Sequence, residues 1–187
     1  MNPPNQKMNG YRWYILALSA LTNSLVVAAP MMSMPVLFEK ISTELHLNLV
    51  QIGLIWGINA LPGILTILVG GVIGDRFGPK RVLILSCLLV GLTGAIRGFA
   101  LDFSALAAAM FAFGLFAPFI TMNSFKTCGL WFPSREMGLA SGVLSMGMAL
   151  GFLVGSMFSA TVLAPWLGGW RPVLYLYGAI SIMLCIP

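Results

Sequence analysis

The chain has 187 residues, of which 59% are hydrophobic and 8% charged, and its formal net charge is +5. A soluble domain carries about 25% charged residues, so this composition, with a mean hydropathy of +0.95, excludes a water-solvated globular domain and points to solvation by lipid. The basic residues stand singly at the ends of apolar stretches, a pattern that excludes a nucleic-acid surface and fits control of membrane topology.

Apolar stretches of about 20 residues recur, each sufficient to cross a hydrocarbon core about 30 Å thick. Alternating strand patterns are absent, so helices rather than a barrel must satisfy the backbone. The chain therefore reads as an all-α membrane protein with six spans, at roughly Arg12–Leu37, Val50–Ile73, Arg81–Phe99, Phe103–Thr127, Met137–Leu163 and Pro172–Pro187. In the first span, Val27-Ala28-Ala29 looks like a leader-cleavage site, but the apolar stretch is too long for a leader core and Pro30 follows at once. Asn48 and Gln51 are spaced as a capping box that opens the second helix.

The second and third spans are joined by Gly71-Val72-Ile73-Gly74-Asp75-Arg76-Phe77-Gly78-Pro79-Lys80-Arg81, the most informative stretch of the chain. Here Gly71 permits close approach of another helix, and Gly78 permits a tight reversal. Asp75 can accept from exposed amides at a neighbouring helix N-terminus, and Arg76 can pair with Asp75 or another carboxylate. Lys80 and Arg81 face anionic headgroups. Arg97, at the far end of the third span, reads as an interfacial anchor.

Polar residues inside the spans are the candidate solute contacts, because an unpartnered polar group in lipid is costly. They are Asn23 in the first span, Asn59 in the second, and Asn123 and Lys126 in the fourth. Each has a plainer reading: a membrane asparagine often bonds a neighbouring helix, and Lys126 can snorkel to the surface. In the fifth span Gly147, Gly151 and Gly155 recur every four residues, with Ser159 continuing the row, and form a face for helix packing. Phe132-Pro133-Ser134-Arg135-Glu136 and Leu167-Gly168-Gly169-Trp170-Arg171-Pro172 read as turns. The three cysteines and the single His46 have no metal-ligand spacing, no cofactor motif is visible, and no nucleophile–base pair points to an enzyme.

With the N-terminus in the cytoplasm, Lys7, Arg12, Arg76, Lys80, Arg81, Lys126 and Arg135 fall on the inner side, whereas Lys40, Arg97 and Arg171 fall outside. This bias sets the expected orientation, in the plasma membrane. No linker divides residues 1–187, which read as one bundle. The sixth span is short, so the sequence is expected to be truncated within helix 6 and to belong to a longer protein.

The joining turn resembles that of the major facilitator superfamily, whose pattern Gly-x-x-x-Asp-Arg/Lys-x-Gly-x-Arg/Lys-Arg/Lys is complete here in Gly71, Asp75, Arg76, Gly78, Lys80 and Arg81. The resemblance covers nearly the whole chain as the N-terminal half of a twelve-helix fold. It implies two inverted three-helix repeats, which agrees with an echo between Ala29-Pro30…Ser33-Met34 and Ala117-Pro118…Thr121-Met122. It also implies a secondary active transporter of a small polar, anionic solute, working by alternating access. The joining turn then acts as a gate whose latch partner lies in a second six-helix half, unless the chain pairs with itself. Two departures weaken proton coupling: Phe152 follows Gly151 where an antiporter motif has proline, and Met110 stands where a fourth-helix motif has arginine. The alternative is a non-transporting scaffold or regulator that pairs with another membrane protein.

Overall fold

A computed structural model describes residues 6–185. Helix α1 occupies residues 6–45, as Gln6–Thr22, a π-helical turn Asn23–Ala28, and Ala29–Leu45. Next come α2 (Leu49–Phe77), α3 (Pro79–Ile96, closed by a 3-10 turn Arg97–Phe99) and α4 (Phe103–Trp131). Helix α5 is Met137–Leu167, with a π-helical turn Ser159–Leu163, and α6 is Trp170–Met183. Each of α1 to α5 contains a stretch long and apolar enough to cross a membrane, whereas α6 has 14 residues. The predicted end of the sixth span, residues 186 and 187, lies outside the described residues.

Local chemistry explains the punctuation. The Asn48–Gln51 capping box forms in both directions, at 2.8 and 2.9 Å. Asp102 caps α4 by accepting from the Ala105 amide at 2.8 Å, and this bond, with one from the Ser104 hydroxyl, holds the carboxyl below its ordinary pKa. Gly78 turns the chain with φ of +81°, a left-handed value that suits glycine. Pro30 and Pro165 lack the N–H that an α-helix would use, and each lies just beyond a π-helical turn. Pro118, by contrast, leaves α4 in one piece, so of the echoed prolines only Pro30 comes with a widened turn.

The packing pattern has internal symmetry. Helix α2 lies along α4, α5 lies along α1, α3 lies against both α4 and α6, and α6 also touches α1. Exchanging α1, α2, α3 for α4, α5, α6 maps each of these contacts onto another, as two inverted three-helix repeats require, although the α3–α4 seam is more extensive than its α6–α1 counterpart. Glycines set the distances. A methyl group at Gly147 would sit 2.8 Å from the Ala20 carbonyl oxygen, and methyl groups at Gly151 and Gly155 would strike the carbonyls of Ser24 and Ala29. Gly91 and Gly178 face each other reciprocally: a methyl group on either would meet the other's carbonyl oxygen at 3.0 or 2.8 Å. The sides away from these seams are apolar and exposed, as at Leu61, Ile64 and Leu65 on α2 and Met146, Leu150 and Met157 on α5.

Polar clasps close the bundle at both ends. At one end Arg12 pairs with Glu136 at 3.0 Å and lies over the Phe132 ring at 5.4 Å. At the other, Glu44 accepts from Trp170 at 2.6 Å and from Arg171 at 2.9 Å, while Arg171 and Tyr175 both donate to the Gly98 carbonyl. Arg97 corrects an expectation. It is not an interfacial anchor but is fully buried, with its guanidinium 4.1 Å from the centre of the Phe113 ring.

The glycine seam yields a contrast. Gly151→Ala forces a methyl group into the backbone of α1 and should destabilise the protein by about 1–3 kcal/mol. Gly142→Ala meets nothing within 4 Å and should be neutral or slightly stabilising. Thermal unfolding of the two variants in detergent checks the difference.

Candidate functional site

The site is built where α2 and α4 meet at the end carrying the charged turn. Lys126, one residue short of a full turn beyond Asn123 on α4, reaches across to α2. Its Nζ lies 2.6 Å from Asp75 Oδ1 and donates to the Gly71 carbonyl at 2.6 Å. Gly74 makes this possible, because a methyl group there would strike Asn123 Oδ1 and stand 3.3 Å from Lys126 Nζ. Asn123 is fully buried and donates through Nδ2 to the Phe119 carbonyl at 2.8 Å, which leaves its Oδ1 without a donor among the described residues.

This geometry revises two details of the charged turn. Gly71 has nothing within 4 Å of where a Cβ would stand, so it is Gly74 that serves the close approach while Gly71 contributes its carbonyl. Arg76 forms no ion pair with Asp75; it is exposed, with its guanidinium 5.9 Å from the centre of the Phe77 ring. Lys80 and Arg81 are exposed at the start of α3.

A second polar crossing ties α1 to α4. The π-helical turn of α1 begins at Asn23, whose Nδ2 donates to the Ser19 carbonyl at 2.9 Å and to Ser124 Oγ at 2.7 Å. Ser124 in turn donates to the Ile120 carbonyl. Asn23 Oδ1 is buried with no donor among the described residues. Asn59 stands apart from both crossings, on α2, where its backbone carbonyl presses on Gly114 of α4 and its Oδ1 is likewise without a donor. The four polar residues expected inside the spans are thus split: Asn123 and Lys126 share one junction with Gly71 and Asp75, Asn23 belongs to the next crossing, and Asn59 is separate.

A cavity of about 290 Å³ opens beside these crossings, walled by Ser19 and Thr22 of α1, Ser124 and Thr127 of α4, and Lys80 and Cys87 of α3. None of the four polar residues expected as solute contacts lines it; Lys80 does. Ser124 and Gly74 escaped the sequence reading. Ser124 is a small hydroxyl residue beside a more conspicuous asparagine, and Gly74 lies within the charged-turn pattern at a position the pattern leaves free. Among the described residues, no group of three or more His, Cys, Asp or Glu side chains is placed to hold a metal ion.

Comparison with known proteins places this architecture. The chain is 29% identical over 142 residues to the probable sulfoacetate transporter of Cupriavidus necator, a match that covers 76% of the chain and 33% of that protein. It is 27% identical to the cis,cis-muconate transport protein of Acinetobacter baylyi, covering 99% of the chain and 44% of the relative. It is also 26% identical to the probable galactarate/D-glucarate transporter of Bacillus subtilis, covering 98% of the chain and 41% of the relative. The chain thus spans less than half the length of these three relatives. The profile of the Major Facilitator Superfamily matches residues 16–187. The chain is an integral multi-pass membrane protein and belongs to the Major Facilitator Superfamily.

Proposed function

We propose that the chain forms the N-terminal six-helix half of a secondary transporter that moves a small organic anion by alternating access. The observation that carries this reading is the solute chemistry printed in the names of its relatives. Sulfoacetate, cis,cis-muconate and galactarate or D-glucarate are all anions at neutral pH. In this reading residues 1–187 form one bundle that packs against a second six-helix half, or against another copy of itself. The protein resides in the plasma membrane with its N-terminus in the cytoplasm, where the basic end holding Arg76, Lys80 and Arg81 obeys the positive-inside bias.

The junction of α2 and α4 supplies a way to couple solute to gate. Lys126 already satisfies Asp75 and the Gly71 carbonyl. A solute carboxylate or sulfonate that reaches Lys126 therefore competes with Asp75 for the ammonium group. Displaced from Lys126, Asp75 becomes free to cap a helix of the second half, with Gly71, Arg76, Gly78, Lys80 and Arg81 completing the gate. The unpartnered amide oxygens of Asn23, Asn59 and Asn123 are acceptors suited to solute hydroxyls.

Two outcomes follow. Vesicles holding this chain together with a six-helix second half should take up labelled muconate, glucarate or sulfoacetate saturably, and Asn123→Ala should raise the half-saturating concentration about tenfold. Uptake no faster than through empty vesicles would sink the reading. For the junction itself, Asp75 is 75% exposed and Lys126 33%, so a double-mutant cycle of Asp75→Asn and Lys126→Gln should return a coupling of only about 0.5–1 kcal/mol that weakens with salt. Lys126→Gln alone should cost more than Asp75→Asn alone, because it also leaves the Gly71 carbonyl without its donor.

A further inference from the structure

The three cysteines have no part in the proposed transport site, and two of them, Cys87 and Cys185, share one helix seam. Helices α3 and α6 run antiparallel, and glycines fix their register. A methyl group at Gly98 would strike the Tyr175 ring, one at Gly178 would meet the Ala95 side chain at 2.9 Å, and one at Gly91 would meet the Ser181 side chain at 3.0 Å. One further turn inward along both helices, from Gly91 and Ser181, brings Cys87 of α3 level with Cys185. Cys185 follows α6 in a turn whose amide donates to the Ile182 carbonyl at 3.1 Å. Its thiol donates to the Ile84 carbonyl of α3 at 3.0 Å, so the two segments still touch at this level.

Separation and access both suit a covalent link. A disulfide needs Cα atoms about 4.4–6.8 Å apart, which helices at the ordinary axial distance of about 8–10 Å rarely present. The reciprocal contact of Gly91 with Gly178 instead brings the backbones of α3 and α6 together. Both thiols also wall the cavity of about 290 Å³, Cys87 buried and Cys185 half-buried. Tyr11, Tyr14, Lys80 and Trp131 of the same wall are exposed, so a molecule little larger than water can enter and reach the pair. Cys128, by contrast, is buried in a separate apolar cluster with Leu16, Phe132, Ala140 and Leu144, and it does not line the cavity.

We infer that Cys87 and Cys185 form a redox modification site, a dithiol that hydrogen peroxide converts to a disulfide clamping α3 to α6. Both thiols are free in the structure, the resting state expected at an end that faces a reducing cytoplasm. A buried thiol ionises reluctantly, so Cys185, the more accessible of the two, takes the oxidant first. Peroxide transfers one oxygen to Cys185 Sγ, leaving a sulfenic acid and one water. Cys87 Sγ then attacks the Cys185 sulfur; the S–S bond forms, the S–O bond breaks, and the hydroxide leaves with the Cys87 proton as a second water. Two thiols are oxidised by two electrons in all, and one peroxide is reduced to two waters. Because α3 starts directly after the charged turn, the link stiffens one arm of the gate proposed above.

Mass spectrometry of the full 187-residue chain tests the assignment, after treatment with hydrogen peroxide in detergent at neutral pH and then unfolding and alkylation without reductant. The expected product is one link within the chain between the Cys87 and Cys185 peptides, with Cys128 still alkylated, and dithiothreitol should reverse it. The oxidised chain should unfold about 5–10 °C higher than the reduced one. Cys128→Ser should link as before, whereas in Cys87→Ser the oxidised Cys185 should proceed to sulfinic acid or join two copies. Three free thiols after peroxide overturn the proposal, as do sulfinic acid at Cys185 beside a free Cys87, a link through Cys128, or links between copies alone. A Cys87–Cys185 link with no rise in Tm overturns the clamp. These outcomes are read on the unaltered chain, so they stand even if a variant fails to fold. The readout is a covalent bond rather than uptake, so failure of the transport reading leaves the test intact.

Discussion

Close approach of helix backbones is the constraint on which the rest of this bundle depends. Lipid tails give apolar side chains little reason to associate, so helices in a bilayer must gain cohesion from contact area and from polar bonds between them. The glycine seams provide that contact: Gly147, Gly151 and Gly155 admit α1, Gly114 admits the Asn59 carbonyl of α2, and Gly74 admits Asn123 and Lys126. At the Gly74 seam Lys126 reaches across α2 to the Gly71 carbonyl, so that junction is a product of the close approach. A side chain at Gly74 that pushed α2 away from α4 would unmake it without touching any charged residue.

Charge obeys a second rule. With water absent from the span, ionised groups other than the buried Arg97 collect at the two ends, where Arg12 with Glu136 and Arg171 with Glu44 close the bundle. Lys126 with Asp75 belongs to the first of these ends but faces the seam between α2 and α4, and it is the least shielded of the pairs on its acidic side. Such a pair contributes little to stability and can be exchanged at small cost, which suits a part that must open and close.

Much of this was legible in the residues. The charged turn, the capping box at Asn48 and the glycine row of α5 follow from local spacing, because each depends on neighbours within a turn or two, whereas the equivalence of α1 and α4 came from the family resemblance. The π-helical turns were not legible as such. A proline marks a missing donor, but whether the helix widens there, as before Pro30, or continues, as at Pro118, is set by the surrounding packing. The direction of the Arg97 side chain was hidden for a similar reason. Sequence position put it at a span end, and the inward turn, over the ring of Phe113, is set by packing between α3 and α4 that no local pattern records. Likewise the partner of Asp75 lies on α4, and no local pattern names it.

The reciprocal contact of Gly91 with Gly178 joins the last helix of one three-helix group to the last helix of the other. Each residue leaves its space to the other's carbonyl oxygen, so bulk added on either side meets backbone rather than a side chain that could swing away. Neither position can therefore be enlarged in exchange for trimming its neighbour, because a glycine has nothing left to trim.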